Sequence, residues 1–155
     1  MSSLQYFKPT VLDIQFMQEL VYDDVQNGNI LYRDKNEMAT TIRSYTAVKD
    51  GDKLVGFVAL HIYTTTLGEI RSLIVKKEYR NRSIAKELIN CIIKEAKELQ
   101  LKELLVLTYK QSLFEKFDFE VIEKESIPET KIWADCIKCK HFPICDEIAL
   151  RKYLV

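Results

Sequence analysis

The stretch from Glu69 to Tyr109 constrains the fold more than any other part of the chain. EIRSLIV alternates in the manner of a strand, KKEYRNR turns the chain, and ELLVLTY at 103–109 is a second strand. Between them, Ala85, Leu88, Ile89, Ile92, Ala96 and Leu99 recur at a three-and-four spacing that predicts an amphipathic helix over 83–99. Lys86, Glu87, Lys94, Glu95, Lys97 and Glu98 fill its outer face. A strand, a crossover helix and a second strand pack by laying the two strands parallel in one sheet.

The rest of the chain supplies antiparallel material. Thr10, with Asp13 three residues on, reads as the cap of a helix over 11–26, which Asn27-Gly28-Asn29 ends. A short helix is expected between Asn36 and Ile42. Asp50-Gly51 sits between two β-type runs, a hairpin signal, and the second run from Leu54 to Ile62 is apolar enough to be buried on both faces. A short helix over 112–117 and strands over 119–124 and 147–154 complete the reading. Period-two alternation in EIRSLIV puts Glu69, Arg71, Leu73 and Val75 on one face and Ile70, Ser72 and Ile74 on the other. The expected class is a mixed α/β (α+β) fold, a central mixed β-sheet flanked by helices, in one domain over 1–155.

Charge narrows the partners. Lys plus Arg and Asp plus Glu are 23 each, which argues against a general nucleic-acid or anionic-membrane binder. No apolar run approaches the ~18 residues that span a bilayer, and MSSLQYFKPT lacks a leader's apolar region, so a cytoplasmic chain is expected. In a reducing compartment the four cysteines are thiols or ligands. Cys136, Cys139 and Cys145 stand as C-x2-C-x5-C with His141 between, half of a zinc ribbon. His141 is too near Cys139 for an uncramped four-ligand site, and Cys91 lies on a distant helix. A compact reduced loop packed by Phe142, Pro143 and Ile144 is expected, with no metal required. A redox pair at Cys136 and Cys139 lacks a thioredoxin-like context.

Arg80, Asn81, Arg82 and Ser83 stand at the mouth of the long helix with no acid among them. A helix N-terminus leaves amide groups unpaired and carries positive potential, so this stretch suits a diphosphate. A solvated basic turn is the plainer alternative.

EIRSLIVKKEYRNRSIAKELI resembles the acetyl-CoA-binding core of the GNAT N-acetyltransferase family. That family carries an R/Q-x-x-G-x-G/A loop; Arg80 and Ala85 fit it, while Ser83 stands where glycine is usual. NILYRD, FVALHIY, VLTYKQSLFEKFDF and PETKIWADCIKCKHFPICDEIAL extend the resemblance to the short, single-domain N-acetylglutamate synthases. The resemblance implies the GNAT fold, with acetyl-CoA as co-substrate. Its loop would be Arg80, Asn81, Arg82, Ser83, Ile84 and Ala85, and the backbone of Leu73, Ile74 and Val75 would lie along the pantetheine arm. Phe114 stands where many members have a tyrosine that protonates the thiolate, as is typical of the glutamate-type branch.

For the chemistry, Glu69 is the first candidate base, through a water, on the strand-face argument above; His61 is the second. Glu69 pairing with Arg71, and His61 as a packed strand histidine, are the structural alternatives. Tyr109 is a candidate proton donor to the thiolate, or a packing residue. An amino-acid acceptor needs fixed cations, and Arg71, Arg33 in NILYRD and Lys131 beside Trp133 are the candidates. Arg33 and Lys131 read equally as surface charge. The expected partner is a small amino acid, most of all L-glutamate, with no nucleic acid, no membrane, and a homodimer left open. The rivals are another amine acceptor, an acyl-CoA sensor without turnover, and a zinc-dependent interaction module.

Overall fold

The computed structural model describes residues 3–28, 32–123, 126 and 147–154. Its strands, among the described residues, are β1 (Leu4–Phe7), β2 (Tyr45–Asp50), β3 (Lys53–Ile62), β4 (Leu67–Val75), β5 (Glu103–Thr108), β6 (Glu120–Val121) and β7 (Ile148–Tyr153). Its α-helices are α1 (Ile14–Gln26), α2 (Lys35–Thr40), α3 (Ile84–Glu98) and α4 (Gln111–Glu115). The strands form one seven-stranded sheet in the order β1-β2-β3-β4-β5-β7-β6. Among the described residues only β4 and β5 run parallel, joined through α3, as the strand–helix–strand pattern requires.

Two cores flank the sheet. On one side α3 buries Ile84, Leu88, Ile89, Ile92, Ile93 and Ala96 against Val58, Leu60, Ile70, Leu104 and Leu150. Each fully buried Leu or Ile of this kind stabilises by about 1.5–3 kcal/mol relative to exposure. Leu99 belongs to that stripe by its spacing but is 50% exposed, because the helix ends at Glu98 and Gln100 turns away at φ 65°. On the other side Ile14 and Met17 of α1 and Met38 of α2 pack on Tyr45, Ala47, Phe57 and Ala59. β3 carries both cores, with Val55 to Leu60 all buried.

Local signals explain the element ends. The Thr10 hydroxyl accepts from the Leu12 amide at 3.3 Å, and Asp13 accepts from the Thr10 amide at 2.8 Å, a reciprocal cap. The first turn, Val11–Asp13, is a 3-10 turn leading into α1. Asp34 caps α2 through the Glu37 amide at 2.8 Å. β1 is an addition to the elements expected from the sequence: four residues beside a proline give too short a pattern to read, and β1 gains its ladder only by pairing with β2. The strand expected over 119–124 is reduced to Glu120–Val121, an edge pair on β7.

Gly56 fixes how closely β3 meets β4. A Cβ there would stand 2.8 Å from the Ile74 carbonyl oxygen and 3.1 Å from Val48 Cγ1. Backbone cannot yield as a side-chain tip can. Gly56→Ala is therefore expected to lower stability by about 1–3 kcal/mol, read as a reduced urea midpoint at unchanged slope.

Candidate active site

The site begins with a break in β4. Ala59 faces Arg71 and Phe57 faces Ile74, so Val58 stands against both Ser72 and Leu73. This is a β-bulge, and Ser72 takes φ 59° within it. The bulge corrects the alternation expected from the sequence. Arg71 and Ile74 share the side of the α1 core, whereas Leu73 and Val75 pack with Ile70 on the α3 side. Glu69 is thus on the opposite face from Leu73, and the face argument for it as base fails.

Beyond the bulge β4 parts from β5. Their ladder runs from Leu67–Glu103 to Glu69–Leu105 and stops. Val106, Leu107 and Thr108 pair with β7 on their other side. The gap is a cleft of about 640 Å³ lined by Ser72 to Val75 of β4, Val106 to Thr108 of β5, and Tyr109, Lys110 and Phe114. Phe114 is buried and stacks edge-on against Phe119 at 5.5 Å, which fixes the apolar floor. Tyr109 stands at the rim, 47% exposed.

Val75 and Arg80 continue this cleft into a second cavity at the start of α3, lined also by Asn81, Ser83, Ile84 and Ala85. Asn81 and Ser83 both hold left-handed backbone, φ 65° and 64°. For Ser83 this costs of order 1–2 kcal/mol without glycine's freedom, whereas asparagine enters the region more readily. The Arg80 Nε donates to the Val75 carbonyl at 3.2 Å and ties the loop to the strand end. Arg82 lines neither cavity; its guanidinium lies 4.9 Å from the Tyr79 ring centroid.

A smaller pocket of about 220 Å³ opens on the α1 side, walled by Gln18, Tyr22, Arg33, Met38, Tyr45 and Ser72 among others. Ser72 belongs to both this pocket and the cleft. Arg71 lines the cleft, Arg33 the pocket, and Tyr45 feels both: burial pushes its phenol up while the two guanidiniums draw it down. Arg33 Nη1 also pairs with Glu37 at 3.0 Å, and the Nε atoms of Arg33 and Arg71 are buried.

A cleft at a parted parallel pair, a basic loop at a helix N-terminus and a side pocket thus adjoin one another. The family model of the acetyltransferase (GNAT) family matches residues 12–119. The chain belongs to the GNAT acetyltransferase family. As a member it is an N-acetyltransferase, and acetyl-CoA is its acyl donor. An uncharacterized N-acetyltransferase of Chlorobaculum tepidum is 35% identical over 127 residues, 82% of this chain and 81% of that protein. The amino-acid acetyltransferase of Pasteurella multocida is 29% identical over 124 residues, 79% of this chain but 28% of that enzyme. The chain thus matches less than a third of that enzyme's length. N-acetylglutamate synthase of Neisseria gonorrhoeae, complexed with coenzyme A and N-acetyl-glutamate, is similar at TM-score 0.85 and 18% identity, over 100% of this chain and 36% of that one.

In this acetyltransferase Glu69 is buried at 2% exposure beside the last β4–β5 pair, and its Oε1 accepts from the Tyr63 hydroxyl at 2.8 Å. His61 faces Glu69 across β3 and β4, and its ring meets Tyr63 edge-on at 4.6 Å. Glu69, His61 and Tyr63 therefore form one cluster on the hairpin side of the bulge. Lys131 lies outside the described residues, as do Trp133, Cys136, Cys139, His141 and Cys145. Among the described residues no group of histidines, cysteines and acids is placed to hold a metal.

Sequence reasoning missed Ser72, Tyr45 and a brace beneath the loop. Tyr79 donates to Asp50 Oδ2 at 2.8 Å, and the Ser3 amide donates to Asp50 Oδ1 at 3.1 Å. The Tyr79 bond, then the Ser3 bond, hold the Asp50 carboxyl below the usual carboxylate range. A lowered carboxylate pKa stabilises above the unfolded value, and that contribution is lost as pH falls through the folded value. Tyr79→Phe is expected to move the Asp50 carboxyl back up toward its ordinary range by NMR titration. It should also raise KM for acetyl-CoA more than it lowers kcat, since the loop loses its support. Ser83→Gly is expected to keep or tighten coenzyme A binding by calorimetry and to stabilise the free protein by about 1 kcal/mol.

Proposed function

We propose that this chain acetylates the α-amine of a small amino acid, most favourably L-glutamate. The observation that carries the reading is the meeting of the acyl cleft and the Arg33-bearing pocket at Ser72. A thioester lying along the edge of β4 would bring its carbonyl to the bulge, and an acceptor in the pocket would reach it from the other side. Holding both partners in one geometry removes much of the entropic barrier. A backbone amide near the bulge that polarises the thioester oxygen adds about 3 kcal/mol of transition-state stabilisation. The names carried by the Pasteurella and Neisseria enzymes agree with an amino-acid acceptor.

Arg71 and Arg33 are the acceptor's carboxylate partners in this reading. A guanidinium offers a forked pair of donors that matches a carboxylate. The acceptor nitrogen loses a proton through water to Glu69, with His61 and Tyr63 completing the relay. Tyr109 at the cleft rim returns a proton to the departing sulfur. The new N–C bond forms as the C–S bond breaks, and free thiol is released.

A cationic acceptor has one observation in its favour. Asp13, Glu19, Asp23 and Asp24 line a cavity of about 730 Å³ beside the cleft, though Lys49, Lys53, Lys76 and Lys77 share it. Thiol release from acetyl-CoA, followed across the twenty amino acids and spermidine, separates the two readings. Glutamate is expected to give the highest kcat/KM; spermidine as the best acceptor would overturn the proposal. Arg71→Ala is expected to raise KM for the amino acid by roughly tenfold or more, the loss of about 1.5–3 kcal/mol from charge-assisted hydrogen bonds. KM for acetyl-CoA should change much less, and equal effects on both would remove Arg71 from the carboxylate site.

A further inference from the structure

The cavity at the start of α3 has more positive charge than a diphosphate uses. It measures about 430 Å³, and Arg80, Lys86, Lys110 and Lys116 line it. Among its described lining residues there is no acid. Lys110 and Lys116 bracket α4, so both ends of that short helix bring an ammonium group to the wall facing α3. Three other cations stand in ion pairs: Lys8 with Glu95, Arg33 with Glu37 and Lys76 with Glu78. Among the described residues Lys86, Lys110 and Lys116 make no ion pair. Cations gathered around one cavity without a counter-charge repel one another, and an anion relieves that repulsion.

The chemistry of coenzyme A says which anion. Its diphosphate is matched by the amides at the start of α3 and by Arg80, which is already fastened to Val75. That leaves three lysines and one further phosphate, the ribose 3′-phosphate, which is close to dianionic near neutral pH. We propose that Lys86, Lys110 and Lys116 form the site for this 3′-phosphate, so that the enzyme selects coenzyme A over dephospho-coenzyme A. The proposal rests on reading the adjoining cleft as the site of the acyl donor. Lysine suits such a ligand, since a point charge on a flexible stem follows a phosphate that projects from the mouth of a cavity.

Two calorimetric titrations of the wild-type chain, one with coenzyme A and one with dephospho-coenzyme A, decide the matter without any variant. The expected result is at least roughly tenfold tighter binding of coenzyme A, a preference that shrinks as salt rises. Equal affinity for the two would overturn the proposal and leave the cleft reading standing. Binding of neither would overturn both. In Lys86→Ala/Lys116→Ala the preference is expected to fall to about twofold or less, with affinity for dephospho-coenzyme A little changed. Arginine at both positions should restore it. An equal loss for both ligands in the alanine variant would assign these lysines to the diphosphate and sink the proposal.

Discussion

The site depends on one constraint: β4 cannot pair with β5 along its whole length. The ladder stops at Glu69–Leu105, while β5 goes on pairing with β7 through Thr108. Backbone amides and carbonyls bordering a cleft need partners. An extended ligand with amides of its own can take the place of the missing strand, and the pantetheine arm is such a ligand. The bulge at Ser72 lies just past the end of the ladder, so the same irregularity that re-aims the strand also joins the cleft to the acceptor pocket. One additional residue in β4 thus shapes two binding surfaces.

The loop after β4 illustrates how local strain is supported from a distance. Asn81 and Ser83 hold left-handed conformations that glycine would adopt more easily. Ser83 gains no side-chain cap bond in return. The compensation comes from outside the loop. Arg80 is tied to Val75, the Lys76 amide donates to the Val55 carbonyl at 2.7 Å, and Tyr79 reaches Asp50 at the tip of the β2–β3 hairpin. Asp50 in turn holds the Ser3 amide, so the chain's start, the hairpin and the loop share one anchor. Arg82 serves this brace by lying over Tyr79. In the sequence its charge reads as a phosphate partner. Its stacking on an aromatic ring is not readable there, because the ring's position depends on a strand pair about thirty residues earlier.

The fold is largely legible in the sequence because its signals are long and periodic. The α3 stripe, the apolar β3 and the Asp50-Gly51 turn each override local ambiguity, and together they fix the antiparallel hairpin and the parallel pair. β1 is not legible, since four residues carry no usable period and their burial comes from pairing with β2. The site is legible where it coincides with an element's end, as at Arg80 to Ala85. It is illegible at Ser72, because a bulge is set by the register of two strands and not by one strand's alternation. The error about Glu69 follows from that: a rule of period two reverses after a single inserted residue. Tyr45 escapes for a related reason. It opens a strand as an ordinary apolar residue, and only the register across β2, β3 and β4 and the placement of Arg33 before α2 set it beside two arginines.

A chain with zero formal net charge can still hold strong local fields. Its sequence totals argue against a polyanion partner, and that inference concerns the averaged surface only. Some of the acids stand along α1, where Glu19, Asp23 and Asp24 line a cavity beside the cleft, and others on the outer face of α3. The cations that these acids balance in the total are not all beside them in space. At the start of α3 the helix dipole and the unpaired lysines add with the same sign over a few ångströms, within one screening length at physiological salt. Neutrality of the whole therefore does not weaken anion binding at that end. It limits long-range attraction to phosphate-bearing polymers, so a small nucleotide-bearing thioester, which needs only the local field, is the ligand that this distribution favours.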